Sequence, residues 1–223
     1  MAKLHQVFIG CPFRRDIRGS YDKLKQEIEA ETPLALVLAD TGAISSTNYL
    51  LQHITDLIRD SAGCVFDATG GNANVSLEVG IAHALSADYL LAIKTRKPRT
   101  HPTTSALRSD GDVRPIISDL QGKHRVEYKQ YAVLRREVEK KYLDHLPFMK
   151  RWHQFKAANS KMVPYAVQLY TQIRTSGRCQ RPRLEAILEG SGFTATQVVR
   201  ELVKYKLLVT KTGPQGGYSY PVK

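Results

Sequence analysis

Four short apolar runs constrain the fold most: Val7-Phe8-Ile9, Leu34–Ala39, Gly63-Cys64-Val65-Phe66 and Tyr89–Ile93. Continuous apolar runs of this length suit strands buried on both faces, as in a parallel sheet. Between them lie segments with helical spacing. Tyr21–Ala30 repeats through Tyr21, Leu24 and Ile28, and Asn48–Arg59 through Leu51, Ile54 and Ile58. Val75–Ser86 repeats through Val75, Val79, Ala82 and Leu85. Alternating strands and helices predict an α/β fold, a parallel sheet with helices on both faces. Gly122–Tyr128 supplies a last short strand and Tyr131–Leu146 a long helix, while Thr95–Pro115 reads as an irregular loop able to act as a lid. Ligands of such sheets sit beyond the C-terminal strand ends, so the loops Gly10–Arg15, Asp40–Thr47 and Asp67–Glu78 converge on one mouth.

The third of these loops carries the chemistry. Asp67-Ala68-Thr69-Gly70-Gly71-Asn72-Ala73-Asn74 leads into a helix with one carboxylate, Glu78, on a flank able to face the strand ends. A carboxylate there can stabilise or trap the oxocarbenium-like state formed when an N-glycosidic bond breaks. Gly70 and Gly71 let backbone N–H groups approach a phosphate. Asn72 and Asn74 either bind ribose hydroxyls and orient Glu78, or Asn72 caps the helix and Glu78 faces solvent. In the first loop, Gly10, Cys11 and Pro12 shape the mouth, Phe13 offers a face to a base, and Arg14 and Arg15 offer charge to a phosphate. Phe13 as a core plug with surface arginines is the plainer alternative. Asp40 and Ser45 follow the second strand, where a ribose-binding group often stands. His83 lies about 140° around the helix from Glu78 and reads as a packing residue. Cys11, without a paired base in sequence, is not expected to be a nucleophile.

Charge separates the two ends of the chain. Residues 151–223 hold 12 Lys and Arg against 3 Asp and Glu; residues 1–150 hold 21 against 18. Most of the net +12 therefore sits in the last third, which points to a polyanion, most simply nucleic acid. The periodicity there gives helices at Tyr165–Thr175, Pro182–Glu189 and Thr194–Leu207. Strands at Leu208–Thr212 and Tyr218–Val222 follow, joined by a Gly213–Gly217 turn. Three helices and a small hairpin is the winged-helix order. Thr196, Gln197, Arg200 and Lys204 form a polar stripe on the third helix, suited to a major groove. Arg178, Arg181, Arg183 and Lys211 are placed to hold the phosphate backbone. A winged helix used only for protein contacts is the competing reading. Three scattered cysteines without metal spacing, with no export signal or membrane-length apolar run, imply a cytoplasmic chain with no metal site and no membrane partner.

Taken together, Val7-Phe8-Ile9-Gly10-Cys11-Pro12-Phe13, Asp67-Ala68-Thr69, Asn72-Ala73-Asn74-Val75 and Glu78-Val79-Gly80-Ile81-Ala82-His83-Ala84 resemble the TIR-like and nucleoside 2-deoxyribosyltransferase-like domains of bacteria. Ile117–Gly122 is similar to a segment these domains carry before their last helix, and the resemblance spans about residues 5–145. It implies a Rossmann-like, flavodoxin-like sheet that binds a nucleotide or NAD-like ligand and requires no separate cofactor. It also makes Glu78 the match to the helix glutamate that attacks or supports the anomeric carbon. Related domains act in antiphage defence, sometimes joined to a DNA-binding module. Ala73 stands where the family usually has proline, Ser76-Leu77 where it has a bulky pair, and Asn72 and Asn74 partly replace an acidic dyad.

The expected organisation is a nucleotide-binding domain over 1–146, a linker over 147–163 and a winged helix over 164–223. The expected function is an N-glycosidase acting on NAD, nucleosides or nucleotides. Glu78 would be catalytic, Asp67, Asn72 and Asn74 would hold the ribose, and DNA or a nucleoprotein complex would be gripped by the basic end. A non-catalytic, nucleotide-sensing DNA-binding regulator is the alternative. A homo-oligomer is expected in either case.

Overall fold

The computed structural model describes residues 3–39, 47–95, 125–212 and 216–221. Strand β1 (Lys3–Gly10) divides its side chains between two layers, as the pleat requires: Val7 and Ile9 on one side, Phe8 on the other. Strands β2 (Ala35–Leu38), β3 (Ser61–Asp67), β4 (Tyr89–Lys94) and β5 (Arg125–Tyr128) join it in one parallel sheet, ordered β2-β1-β3-β4-β5. Helix α1 (Arg15–Glu31) covers the Val7 and Ile9 side through Ile17, Tyr21, Leu24 and Ile28, and α4 (Tyr131–Lys141) through Leu134 and Val138. The Phe8 side is covered by α2 (Thr47–Asp60), through Ile54 and Ile58, and α3 (Ala73–Ala84), through Val75, Val79 and Ala82. Each such side chain, fully buried, contributes about 1.5–3 kcal/mol of transfer free energy, which is what fixes the helices to the two faces. The sheet order is that of flavodoxin-like folds.

The elements depart from the sequence reading in several places. Helix α1 starts at Arg15 rather than Tyr21 because Ile17 extends its buried stripe by a turn, and Gly19 sits on the open side where no side chain is needed. The helix expected over Tyr131–Leu146 stops at Lys141. Tyr142 leaves helical geometry (φ −135°, ψ −64°), and its hydroxyl reaches into the sheet. There it donates to Asp88 O (2.8 Å) and accepts from Cys64 N (2.9 Å). Gly63 makes room, since a Cβ there would stand 2.1 Å from that hydroxyl oxygen. His83, expected to pack, is exposed. The expected lid loop from residue 96 onward and the 117–122 segment lie outside the described residues.

Residues 147–163, expected to be a linker, form helix α5 (Pro147–Ala158) and a 3₁₀ turn, Ser160–Met162. Proline at the first helical position is tolerated because its missing N–H has no intrahelical partner there. Phe148, Met149, Trp152 and Phe155 are buried, and Trp152 packs edge-on to Tyr170 at 6.4 Å. Then come α6 (Val163–Ser176), α7 (Arg181–Leu188) and α8 (Ala195–Lys204). An antiparallel pair follows, β6 (Val209–Lys211) and β7 (Gly217–Ser219); residues 213–215 of its turn lie outside the described set. Cys179 bonds to Tyr218 on the far side of β7, 2.8 Å in each direction. A single apolar core runs from the α1 and α4 side of the sheet into these C-terminal elements. Two polar ties reinforce it. Tyr220 donates to Pro33 O (2.7 Å), and Arg174 donates to the carbonyls of Glu29 (2.5 Å), Leu34 (3.3 Å) and Thr32 (3.4 Å) at the end of α1. A guanidinium suits a helix C-terminus, where unpaired carbonyls and the negative end of the dipole coincide.

Candidate active site

From β1 the chain moves to β2 on one side, and from β2 across to β3 on the other, so the strand order reverses between β1 and β3. Loops leaving two neighbouring parallel strands in opposite directions open a crevice at their C-terminal ends. Gly10 ends β1 beside Phe66 of β3. After Asp67, Gly70 (φ +76°) and Gly71 (φ +67°) turn the chain through left-handed geometry that favours glycine. Asn72 then caps α3, its Oδ1 accepting from Asn74 N (3.0 Å) and Val75 N (3.2 Å). Asn72 therefore takes the capping role of its two readings, which commits its side-chain oxygen to the helix start.

Side chains on a helix lean toward its N-terminus, so Glu78 reaches back from α3 onto the strand ends. Only 7% of Glu78 is exposed, and Oε2 is shielded with no hydrogen-bond partner among the described residues. It occupies the space that a side chain at position 10 would fill: a Cβ on Gly10 would stand 2.1 Å from Oε2. Burial holds the Glu78 carboxyl up at about 7. Around it, Ile9, Cys11, Phe13, Arg18, Ala39, Asn72 and Asn74 line a narrow cleft of about 10 Å³. A carboxyl poised near neutrality in a cleft at a strand-order reversal fits acid–base or nucleophilic work.

The expected site residues distribute as follows. Pro12 is buried and shapes the loop, and Phe13 is 54% exposed at the mouth with the Arg18 guanidinium 5.8 Å from its ring centroid. Phe13 is therefore not a core plug. Burial pushes the Cys11 thiol up to about 12, with Arg18 opposing and Asp67 and Glu78 adding to the shift, so it stays protonated at neutral pH. Arg14 pairs with Asp16 (3.3 Å), which also pairs with Lys94 (3.2 Å), and its Nη1 lies 3.8 Å from where a Gly70 Cβ would stand. These charges and the two glycines share the rim. Arg15 is exposed at the start of α1.

Asp67 does not join them. It is fully buried, accepts from Thr69 N (3.0 Å) and from the Tyr128 hydroxyl (2.6 Å), and so braces the sheet below the crevice. Burial raises its carboxyl above the usual range against these hydrogen bonds. Asp40 and Ser45 lie outside the described residues. Arg18, absent from the sequence reading, belongs to the cleft. Its signal is α1 periodicity extended back to Ile17, which sets Arg18 one turn into the helix beside the loop.

At the basic end, α8 buries Ala195, Val198 and Leu202 and exposes Thr196, Gln197, Arg200, Val203 and Lys204. Gln197 closes a capping box: its Oε1 accepts from Thr194 N (2.8 Å), while Thr194 Oγ1 accepts from Gln197 N (3.3 Å). Glu201 lies between Lys204 (3.4 Å) and Arg200 (3.9 Å). Arg181 pairs with Glu185 (2.8 Å), Arg183 and Lys211 are exposed, and Arg178 is half-buried. Among the described residues no His, Cys, Asp and Glu cluster is placed to hold a metal ion, and no helix is long and apolar enough to cross a membrane.

No family model matches the chain, and no curated protein matches it. Among solved structures, a 2-desoxiribosyltransferase from Leishmania mexicana is similar over 60% of this chain and 97% of its own, with 12% identity and a TM-score of 0.43. A conserved protein from Enterococcus faecalis V583 is similar over 61% of this chain and 98% of its own, with 14% identity and a TM-score of 0.45.

Proposed function

We propose that the chain is an N-glycosidase acting on a nucleoside, a nucleotide or NAD, with Glu78 as the group that meets the anomeric carbon. The observation that carries this reading is the Glu78 carboxyl, buried and unpartnered at the β1 and β3 ends against a glycine that leaves it room. In the ionised form it supplies negative charge where an oxocarbenium ion develops, as nucleophile or as electrostatic partner. Water is largely excluded there, so that charge acts at low screening. Phe13 at the mouth offers a face to the leaving base. Arg14, Gly70 and Gly71 on the rim suit a phosphate or pyrophosphate, and Asn74 reaches the ribose side. Water completes the hydrolysis; a second nucleobase in its place gives transfer.

The C-terminal elements are proposed as a winged helix that binds duplex DNA, with α8 as the groove-facing helix and the β6–β7 pair as the wing. Support comes from element order, from the exposed Thr196, Arg200 and Lys204, and from the concentration of positive charge. A two-part chain of this kind suits an effector in antiphage defence, in which DNA engagement and nucleotide cleavage are joined. The second reading, a nucleotide-sensing DNA-binding regulator without turnover, is favoured by one observation. Among the described residues Glu78 is the one carboxylate lining the cleft, and the Asn72 oxygen is held in the helix cap.

Incubating the chain with NAD, nucleosides and nucleotides, with and without duplex DNA, and quantifying released base by chromatography decides between them. Glu78→Gln is expected to lower base release by at least about 10³-fold while ligand affinity stays within a few-fold. Base release unchanged in Glu78→Gln removes Glu78 from the chemistry, and no release from any substrate favours the regulator.

A further inference from the structure

A second concavity lies at the opposite end of β1 from Glu78. It is a groove of about 800 Å³ between the start of β1, the outer side of β2, the C-terminal half of α6 and the β6 strand. Lys3 and Gly10, at the two ends of β1, are roughly 23 Å apart by its rise, and the groove follows the sheet edge from Lys3 up to Val37, which pairs with Phe8. The floor is apolar, formed by Ala35 and Val37 of β2 with Ile173 of α6. One wall is a flat aromatic pair, His5 stacked on Tyr220 with centroids 3.5 Å apart and planes 5° from parallel.

The rim is cationic. Lys3, Lys25, Arg174 and Lys211 come from four different elements and face one carboxylate, Glu29, among the described lining residues. Glu29 is occupied: it binds Lys25 Nζ (2.6 Å) and Leu36 N (2.8 Å). Lys3 and Lys211 are exposed, and Arg174 lines the groove with its guanidinium held on the carbonyls of Glu29, Thr32 and Leu34. Like charges gathered from separate elements repel one another unless an anion lies between them. The local potential registers on His5. Burial first, and then Lys3 and Arg174, hold its imidazole down at about 4, so it remains neutral where it stacks on Tyr220.

An apolar floor, an aromatic wall and a cationic rim in a volume of this size match a small molecule with a flat body and one or more phosphates. We propose that this groove, separate from the Glu78 cleft and independent of the reading given to it, binds a phosphate-bearing small molecule of nucleotide size. Lys3 and Lys211 would hold the phosphates, and the floor would take the body. The ligand would bridge β1 of the sheet and β6 of the C-terminal pair, so its binding bears on how firmly the two parts are held.

The test uses the full chain, with ADP, pyrophosphate and a twelve-nucleotide single strand as probes. Hydrogen exchange locates each probe, and calorimetry at low salt gives affinities. The proposal expects ADP to slow exchange over Lys3–His5 and Val209–Lys211, and to bind about tenfold tighter than pyrophosphate because it also covers the floor. Lys3→Glu with Lys211→Glu should remove this protection and weaken that site at least about tenfold. The milder pair Lys3→Gln and Lys211→Gln should weaken it less with the melting temperature unchanged. Phe13→Ala with Arg14→Ala, which removes the contacts proposed at the cleft mouth, should leave protection at these segments intact, which separates this site from the cleft. ADP binding without protection there, protection that survives the charge-reversed pair, or protection by the oligonucleotide alone overturns the proposal.

Discussion

Gly10 and Glu78 define each other. The backbone of β1 passes so near the carboxyl that any side chain at position 10 displaces either Glu78 or Phe66, whose Cδ1 would lie 2.6 Å from the new Cβ. Gly10→Ala is therefore expected to cost about 1–3 kcal/mol of stability, the usual range for overpacking, and to abolish base release even where the fold survives. Chemical denaturation and the base-release assay measure the two effects separately. At this scale Glu78 was a candidate as the one carboxylate of its helix, and the family resemblance, not the spacing, set it above a solvent-facing alternative. Asp67 was legible as important but not in its role: the sequence does not reveal that Tyr128 and Thr69 N, far apart along the chain, meet on its oxygens. Arg18 was hidden because its place depends on where α1 begins, and Gly19 masked the extra turn.

Elements carry the next layer. The strands and the helices of the sheet follow from their apolar runs and repeats, since burial on both faces leaves few other arrangements. What the periodicity did not disclose was tertiary. Tyr142 continues the spacing of α4 yet leaves the helix, because its hydroxyl is bound to the Cys64 amide and the Asp88 carbonyl. Residues 147–158 were expected as part of a linker, yet Phe148, Trp152 and Phe155 recur at i, i+4 and i+7, and packing that face against α6 makes them a helix. Helix α8 is short, so its start matters. Thr194 closes the capping box with Gln197, and Thr194→Ala is expected to cost about 1 kcal/mol, a fall of about 2–4 °C in thermal midpoint. A calorimetric scan reads that fall. Gln197 is thereby tied to the cap, which leaves Thr196, Arg200 and Lys204 as the outward polar groups of the helix.

Across the molecule, the sheet places Glu78 at one end of β1 and the cationic groove at the other, and α1 runs beside both. Its first turn supplies Arg18 to the cleft, and its last carbonyls are gripped by Arg174. The positive charge is concentrated past residue 150, so polyanion binding is a property of the C-terminal elements under the proposed function. Replacing Arg200 and Lys204 with alanine is expected to weaken duplex binding about tenfold. The slope of log affinity against log salt should fall by about 0.9 per lost phosphate contact. Fluorescence anisotropy across a salt series checks both, and an unchanged slope places the nucleic acid elsewhere.

Under the proposed function the ionised Glu78 carboxylate performs the cleavage, and the pH profile of base release is the measurement that reads its ionisation. Burial sets that carboxyl at about 7, above its value in an unfolded chain, so the ionised fraction in the folded protein grows as pH rises through neutrality. Base release is expected to climb with pH to a midpoint near 7 and then level, and to be lost in Glu78→Gln at every pH. Release that falls above neutrality, or that persists in Glu78→Gln, would contradict it.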